Sequence, residues 1–160
     1  FIPAIQKGFE ECLKNGHLAS FPIDSYKVRL FHGSFHDVDS DSLSFELAAR
    51  TGFRESAKQC GTQLLEPIMG VDVVTPDVYT GSVTGDLNRR RGLMKGMDSK
   101  GTASVIKANV PLSELFGYIT DLRTLTSGRA TASLTFSHYE PVPNNLAEGI
   151  IAKAKGAVKA

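Results

Sequence analysis

Residues 64–110 read LLEPIMGVDVVTPDVYTGSVTGDLNRRRGLMKGMDSKGTASVIKANV, and the order of patterns within them decides the fold. Leu65 to Thr75 is rich in β-formers (Ile68, Met69, Val71, Val73, Val74) and reads as a strand. Thr75-Pro76 then offers an N-cap with proline at the first helical position, which predicts a helix to Arg91 with Gly92 as its stop. Leu93 to Met97 and Ala103 to Val110 read as two further strands, joined by a hairpin-like turn through Asp98-Ser99-Lys100-Gly101. Pro111-Leu112-Ser113 opens a second helix with Leu112, Leu115, Phe116, Ile119 and Leu122 on one face and Gly128 at its end. Arg129 to Tyr139 closes the unit as a strand that alternates Ala130, Ala132, Leu134 and Phe136 toward one side. The order β-α-β-β-α-β is the ferredoxin-like split βαβ arrangement, α+β in class, with both helices on one face of the sheet.

Working outward, Pro3 to Asn15 has helical spacing at Ile5, Phe9, Cys12 and Leu13, with Gly16 placed as a left-handed cap. Tyr26 to Phe31 (YKVRLF) reads as a strand, and His32 to His36 leaves it as a loop. Asp39-Ser40-Asp41-Ser42 is a helix-start signal for a helix to about Lys58, with Phe45, Ala48, Ala49, Phe53 and Ala57 on one stripe. One clear strand between two helices cannot close a core. Residues 1–63 are therefore expected to be part of an α/β domain, residues 64–143 a complete second domain, and residues 144–160 a short helix and basic tail. On this view the chain is a fragment of something longer.

The chain has 160 residues, 41% of them hydrophobic and 22% charged, and a formal net charge of +1. That balance excludes intrinsic disorder, and no apolar run is long enough to span a membrane. Cys12 and Cys60 are too few for a disulfide framework, which points to a reducing cytoplasm. The near-zero total hides a local excess: Leu87 to Arg129 holds eight basic residues against Asp98, Glu114 and Asp121.

The densest motif is Gly85-Asp86-Leu87-Asn88-Arg89-Arg90-Arg91-Gly92. A helix C-terminus accounts for one or two of these arginines. Three of them, with Lys95 following, make a field suited to phosphate. Gly81 and Gly85 are not followed by the Gly-Lys-Ser/Thr of a phosphate loop, so close helix–sheet packing is their expected role. No Walker motif occurs anywhere in the chain. Asp37, Asp39 and Asp41 resemble the start of a calcium loop, but Ser42 and Ala48 stand where Gly and Glu are needed, so helix capping explains them better. No cysteine is placed to join His32 and His36 in a zinc site, and no nucleophile elbow supports a Ser34–His36–Asp37 triad. No catalytic residue and no metal ligand set is expected.

Five ordered motifs, FHGSFHDVDSD (Phe31 to Asp41), LLEPIM (Leu64 to Met69), GDLNRRRG (Gly85 to Gly92), VPLSELFGYITD (Val110 to Asp121) and LRTLTSGRA (Leu122 to Ala130), resemble the bacterial elongation factor G family across almost the whole chain. The resemblance covers the second half of that family's fourth domain, of ribosomal protein S5 domain 2-like type, and its fifth. It implies a ribosome-binding part of a GTP-dependent translocase. The tip loop, residues 32–39, would face the A-site tRNA–mRNA through Gly33, Ser34, Phe35, His36 and Asp37, with His36 at the tip position. Arg89, Arg90, Arg91, Lys95, Arg123 and Arg129 would face ribosomal RNA. GTP and magnesium would belong to an N-terminal domain absent here, so this portion would be no enzyme and hold no cofactor. The expected partner is the ribosome, with no membrane, and the expected state is a monomer. His32, Phe35 and Gly70 depart from the family's usual acid, Tyr and Lys. Two alternatives share features with this assignment: a ribosomal protection protein, whose tip loop differs, and a stand-alone RNA-binding ferredoxin-like module. The latter would carry stacking aromatics on its middle strands, where Leu93 to Met97 and Ala103 to Val110 have none.

Overall fold

A computed structural model describes residues 1–157, so the last three residues of the expected tail lie outside the described residues. The chain forms two compact units: Leu65–Pro141, and Phe1–Leu64 joined by the C-terminal segment that begins at Val142.

In the second unit four strands form one antiparallel sheet in the order β2-β3-β1-β4. Here β1 is Leu65–Pro76, β2 Leu93–Lys100, β3 Ala103–Pro111 and β4 Thr131–Pro141. Helix α3 (Thr80–Arg89) links β1 to β2, and α4 (Tyr118–Leu125) links β3 to β4, so each crossover skips one strand. Val71, Val73, Ile106, Ala108 and Val110 from the sheet meet Val83 and Leu87 of α3 and Leu115, Tyr118 and Leu122 at α4. Both helices therefore cover one face, as the order of elements requires, and the class is α+β and ferredoxin-like. Leu87, Ile106 and Leu122 are almost fully shielded, and truncating one such side chain to alanine typically costs about 2–5 kcal/mol.

Local details depart from the sequence pattern for identifiable reasons. Thr75 and Pro76 remain in β1, opposite Ser104 and Ala103, so they do not start the helix. A 3-10 turn, Asp77–Tyr79, intervenes before α3. Strand β2 continues through Asp98–Lys100, and the hairpin turns on Gly101-Thr102, with Gly101 at φ 66°. The expected helix at Pro111 is instead a 3-10 turn, Leu112–Glu114, and Gly117 at φ 76° resets the phase before α4 begins. The buried face is consequently Leu115, Tyr118 and Leu122, while Phe116 and Ile119 are exposed. In β4, Ile68 pairs with His138 but Met69 with Phe136, so Ser137 is an extra, bulged residue. Ala132 and Leu134 pack on the core, whereas Phe136 is 56% exposed. A Cβ at Gly81 or Gly85 would meet nothing within 4 Å, so these glycines are not helix–sheet packing sites. Val83 and Leu87 make that contact.

Helix α3 ends with a device that the stop signal at Gly92 did not describe. Arg91, not glycine, takes the left-handed conformation at φ 60°. Its N–H donates to the Asn88 carbonyl at 3.1 Å, and the Gly92 N–H donates to the Leu87 carbonyl at 2.9 Å. This is the paired hydrogen bonding of a Schellman motif. Gly92 is needed because a Cβ there would sit 2.5 Å from the Leu87 carbonyl oxygen. Gly92→Ala should destabilise the chain by roughly 2–3 kcal/mol, as overpacking does. Denaturant melting of the two forms checks this, and an unchanged midpoint would mean that the helix end relaxes freely.

In the first unit α1 (Ile2–Lys14) lies against α2 (Ser42–Gln59). The close approach is at Gly8, where a Cβ would be 2.6 Å from the Glu46 carbonyl oxygen and 2.8 Å from the Ala49 Cβ. Ala49, Phe53 and Ala57 are buried, but Ala48 of the expected stripe is exposed. Asn15 caps α1 at φ −133°, so Gly16 is no left-handed cap. Its N–H donates to the Phe21 carbonyl at 2.8 Å, and a Cβ on Gly16 would be 2.8 Å from that oxygen. The expected strand Tyr26 to Phe31 is not a strand: no other strand lies beside it among the described residues, and an unpaired strand leaves its backbone groups unsatisfied. Tyr26 is anchored, its ring 5.4 Å from that of Phe53. At the C-terminus α5 (Asn144–Ala157) follows the Val142 N–H bond to the Leu64 carbonyl.

Candidate functional site

The loop expected at 32–39 is exposed along its whole length, including Gly33, Ser34, Phe35, His36 and Asp37. It is nevertheless tied to α2. The Asp41 carboxylate accepts the Ser44 N–H at 2.6 Å and caps the helix, and that bond holds its pKa below the usual carboxylate range. One residue earlier, Ser40 accepts the His36 N–H on Oγ at 2.9 Å and donates its own N–H to the His36 carbonyl at 3.1 Å. Phe35 lies 5.9 Å from the ring of Phe1, which stacks at 4.5 Å on Phe45 of α2. Of the three acids Asp37, Asp39 and Asp41, the last is the helix cap, and Asp39 instead lies 3.4 Å from the Ser40 hydroxyl. Ser34, His36 and Asp37 make no mutual hydrogen bond among the described residues.

The arginines separate into different roles. Arg89 leaves most of its side chain in solvent and pairs with Asp86 at 2.5 Å. Arg90 is buried: it donates to Asp86 Oδ2 at 2.9 Å and to the Glu114 carbonyl at 2.7 Å, and it pairs with Asp121. Its guanidinium also stands 5.1 Å from the centre of the Tyr118 ring. Arg91 pairs with Glu66 at 2.5 Å and approaches Glu114 at 3.9 Å. Arg90 therefore leaves the expected RNA-facing set. It locks the end of α3 to α4, because a desolvated guanidinium must be satisfied. Arg91 is half spent on Glu66.

The same packing sets the titration of this corner. Burial opposes ionisation of Asp86, but hydrogen bonds and charge from Arg90 and Arg89 hold its carboxyl below the usual range. Tyr118 is pushed up to about 12, first by burial and then by the Asp86 charge. Its buried hydroxyl has no hydrogen-bond partner among the described residues.

Lys95, Arg123 and Arg129 are exposed, as expected, but the basic residues do not form one patch. Arg89 and Lys95 flank the end of the sheet where Leu93 pairs with Asn109. Arg129 lies at the other end, beside Val74, Pro76 and Thr102, in an open depression of about 460 Å³. The register from Gly70, opposite Asn109, to Pro76 separates the two ends by roughly 20 Å at ~3.3 Å per residue. The spacing of Asp86 to Arg89 and Arg90 could be read along the helix. The partners Glu66 and Asp121 could not, lying 25 and 31 residues away in the chain. Among the described residues no group of three or more His, Cys, Asp or Glu is placed to hold a metal ion. No helix there is long and apolar enough to cross a membrane.

Two family models match in sequence order. Elongation factor G, domain IV, matches residues 1–61, and Elongation factor G C-terminus matches residues 63–150. Elongation factor G of Cytophaga hutchinsonii is 76% identical over 98% of this chain, and that of Amoebophilus asiaticus is 67% identical over 98%. The chain spans 22% of the length of each. A crystal structure of a Thermus thermophilus protein superposes with a TM-score of 0.86 at 39% identity, over 97% of this chain and 24% of that one. With both units matched in order and at this identity, the chain belongs to the elongation factor G family.

Proposed function

We propose that this chain is the C-terminal, ribosome-binding portion of a translation elongation factor that promotes GTP-dependent translocation of tRNA and mRNA. The observation that carries the proposal is the ordered match of both units to the two family regions. Residues 32–39 would face the A-site tRNA–mRNA duplex, with His36 offering its ring to a 2′-hydroxyl or backbone oxygen in a shallow minor groove. Such contacts carry no base sequence, which suits a factor acting at every codon. Arg89, Lys95, Arg123 and Arg129 would meet ribosomal RNA, the first two and Arg129 at opposite ends of the sheet. GTP and magnesium would be bound by another domain of a monomeric, cytoplasmic parent, and this portion would contribute no catalytic residue.

The test is the salt dependence of ribosome binding by the full-length factor carrying this sequence. Each phosphate contact removed should lower the magnitude of the log–log salt slope by about 0.7–0.9. Arg89→Ala and Lys95→Ala should each do so while leaving the melting temperature within about 2 °C, because surface substitutions cost little. An unchanged slope in both would leave Arg89 as a partner of Asp86 alone.

A further inference from the structure

We propose that Ser40 is a positioning residue for His36, holding the tip of the exposed loop in one conformation from the rigid start of α2. The proposal rests on the assignment of residues 32–39 to the tRNA–mRNA duplex and adds to it the residue that orders the site.

His36 lies in a stretch with no helix or strand, and every residue from Phe31 to Asp39 is exposed. Such a segment has little packing to restrict it, and fixing one residue's backbone costs about 1–2 kcal/mol. Both backbone polar groups of His36 are nonetheless engaged, and by the same residue. The His36 N–H donates to Ser40 Oγ at 2.9 Å, and the His36 carbonyl accepts the Ser40 N–H at 3.1 Å. These reciprocal bonds close the turn through Asp37, Val38 and Asp39.

Ser40 itself is half-buried and can be held, unlike the residues it clasps. Its hydroxyl donates toward Asp39 Oδ1 at 3.4 Å, which leaves an oxygen lone pair for the His36 N–H. The next residue, Asp41, caps α2 through Ser44 and accepts the Phe45 N–H on its carbonyl at 3.2 Å. Hydrogen bonds from the first turn of α2 to Asp41, the Ser40–Asp41 peptide bond and the Ser40 bonds to His36 thus link the helix start to the loop. The His36 ring has no hydrogen bond to protein among the described residues, so its donors and acceptors stay available. Holding the backbone while leaving the ring unengaged is how a binding group is preorganised.

The experiment uses the full-length factor with Ser40→Ala, Ser40→Thr, His36→Ala and the Ser40→Ala/His36→Ala pair. Hydrogen exchange at the His36 amide is measured alongside the rate of translocation. Ser40→Ala should speed exchange at His36 while leaving the Ser44 and Phe45 amides protected. It should slow translocation about threefold to tenfold, the effect of one lost hydrogen bond. Ser40→Thr, which keeps the hydroxyl, should restore both. In the His36→Ala background Ser40→Ala should add nothing, because it acts through that side chain.

Unchanged exchange at His36, or an additive double variant, would overturn the positioning role and leave the assignment of the loop standing. Loss of protection at Ser44 would overturn it too, by showing a purely structural part in the helix start. A wild-type rate in His36→Ala alone would instead overturn the assignment of the loop itself.

Discussion

Arg90→Ala should lower the stability of the chain by about 3 kcal/mol. Truncating one partner of a buried pair costs about 3–5 kcal/mol, because the other charge is left desolvated and unpaired. Here Asp86 is 7% exposed and would lose its Nε bond, while the Glu114 carbonyl would lose its donor. Asp121 is half exposed and would be rescued by water, which places the loss at the lower end of that range. Denaturant melting checks this, and a loss below about 1 kcal/mol would mean that water reaches Asp86 once the arginine is gone. The charge also makes the unit acid-sensitive. The Asp86 carboxyl is held below its unfolded value, so its contribution is fully present above the ordinary carboxylate range near pH 4 and is lost as pH falls through the folded value. In Asp86→Asn this part of the pH dependence should vanish and stability at neutral pH should drop.

His36→Ala in the full-length factor should slow translocation roughly tenfold or more while GTP hydrolysis stays near wild type. A hydrogen bond to a charged phosphate group is worth about 1.5–3 kcal/mol, and each 1.4 kcal/mol is about tenfold in rate. Hydrolysis should be spared because the nucleotide site is proposed to lie in another domain, and because His36 is exposed and, among the described residues, hydrogen-bonded only through its backbone. Single-turnover translocation and phosphate-release measurements on the same preparation separate the two steps. Translocation at the wild-type rate would remove His36 from the proposed site.

Most of the second unit was legible because its signals are local. Alternating Val71 and Val73, and the helical spacing of Val83 and Leu87, report burial within a few residues of themselves. The sequence pattern breaks down where one residue changes phase. The left-handed Gly117 turned Phe116 and Ile119 outward, and the bulge at Ser137 ended the alternation before Phe136. Tyr26 to Phe31 misled for a different reason: its composition favours a strand, but a strand exists only where another chain segment supplies partners. The loop at 32–39 and the cap at Asp41 were legible as types. Ser40 was not, since its hydroxyl could equally have faced water.

By itself the sequence determined the order of elements in the second unit, the exposed loop with His36, and the family, because period, turn residues and motif order are properties of neighbours along the chain. Which basic residues remain available was decided only in three dimensions. The excess counted between Leu87 and Arg129 left out Asp86 and Glu66, two of the acids that hold Arg89, Arg90 and Arg91. The sheet register then set Arg129 at the far end from Arg89. Charge acts through space and falls with distance, so a count along the chain measures a field only after the fold has placed the charges.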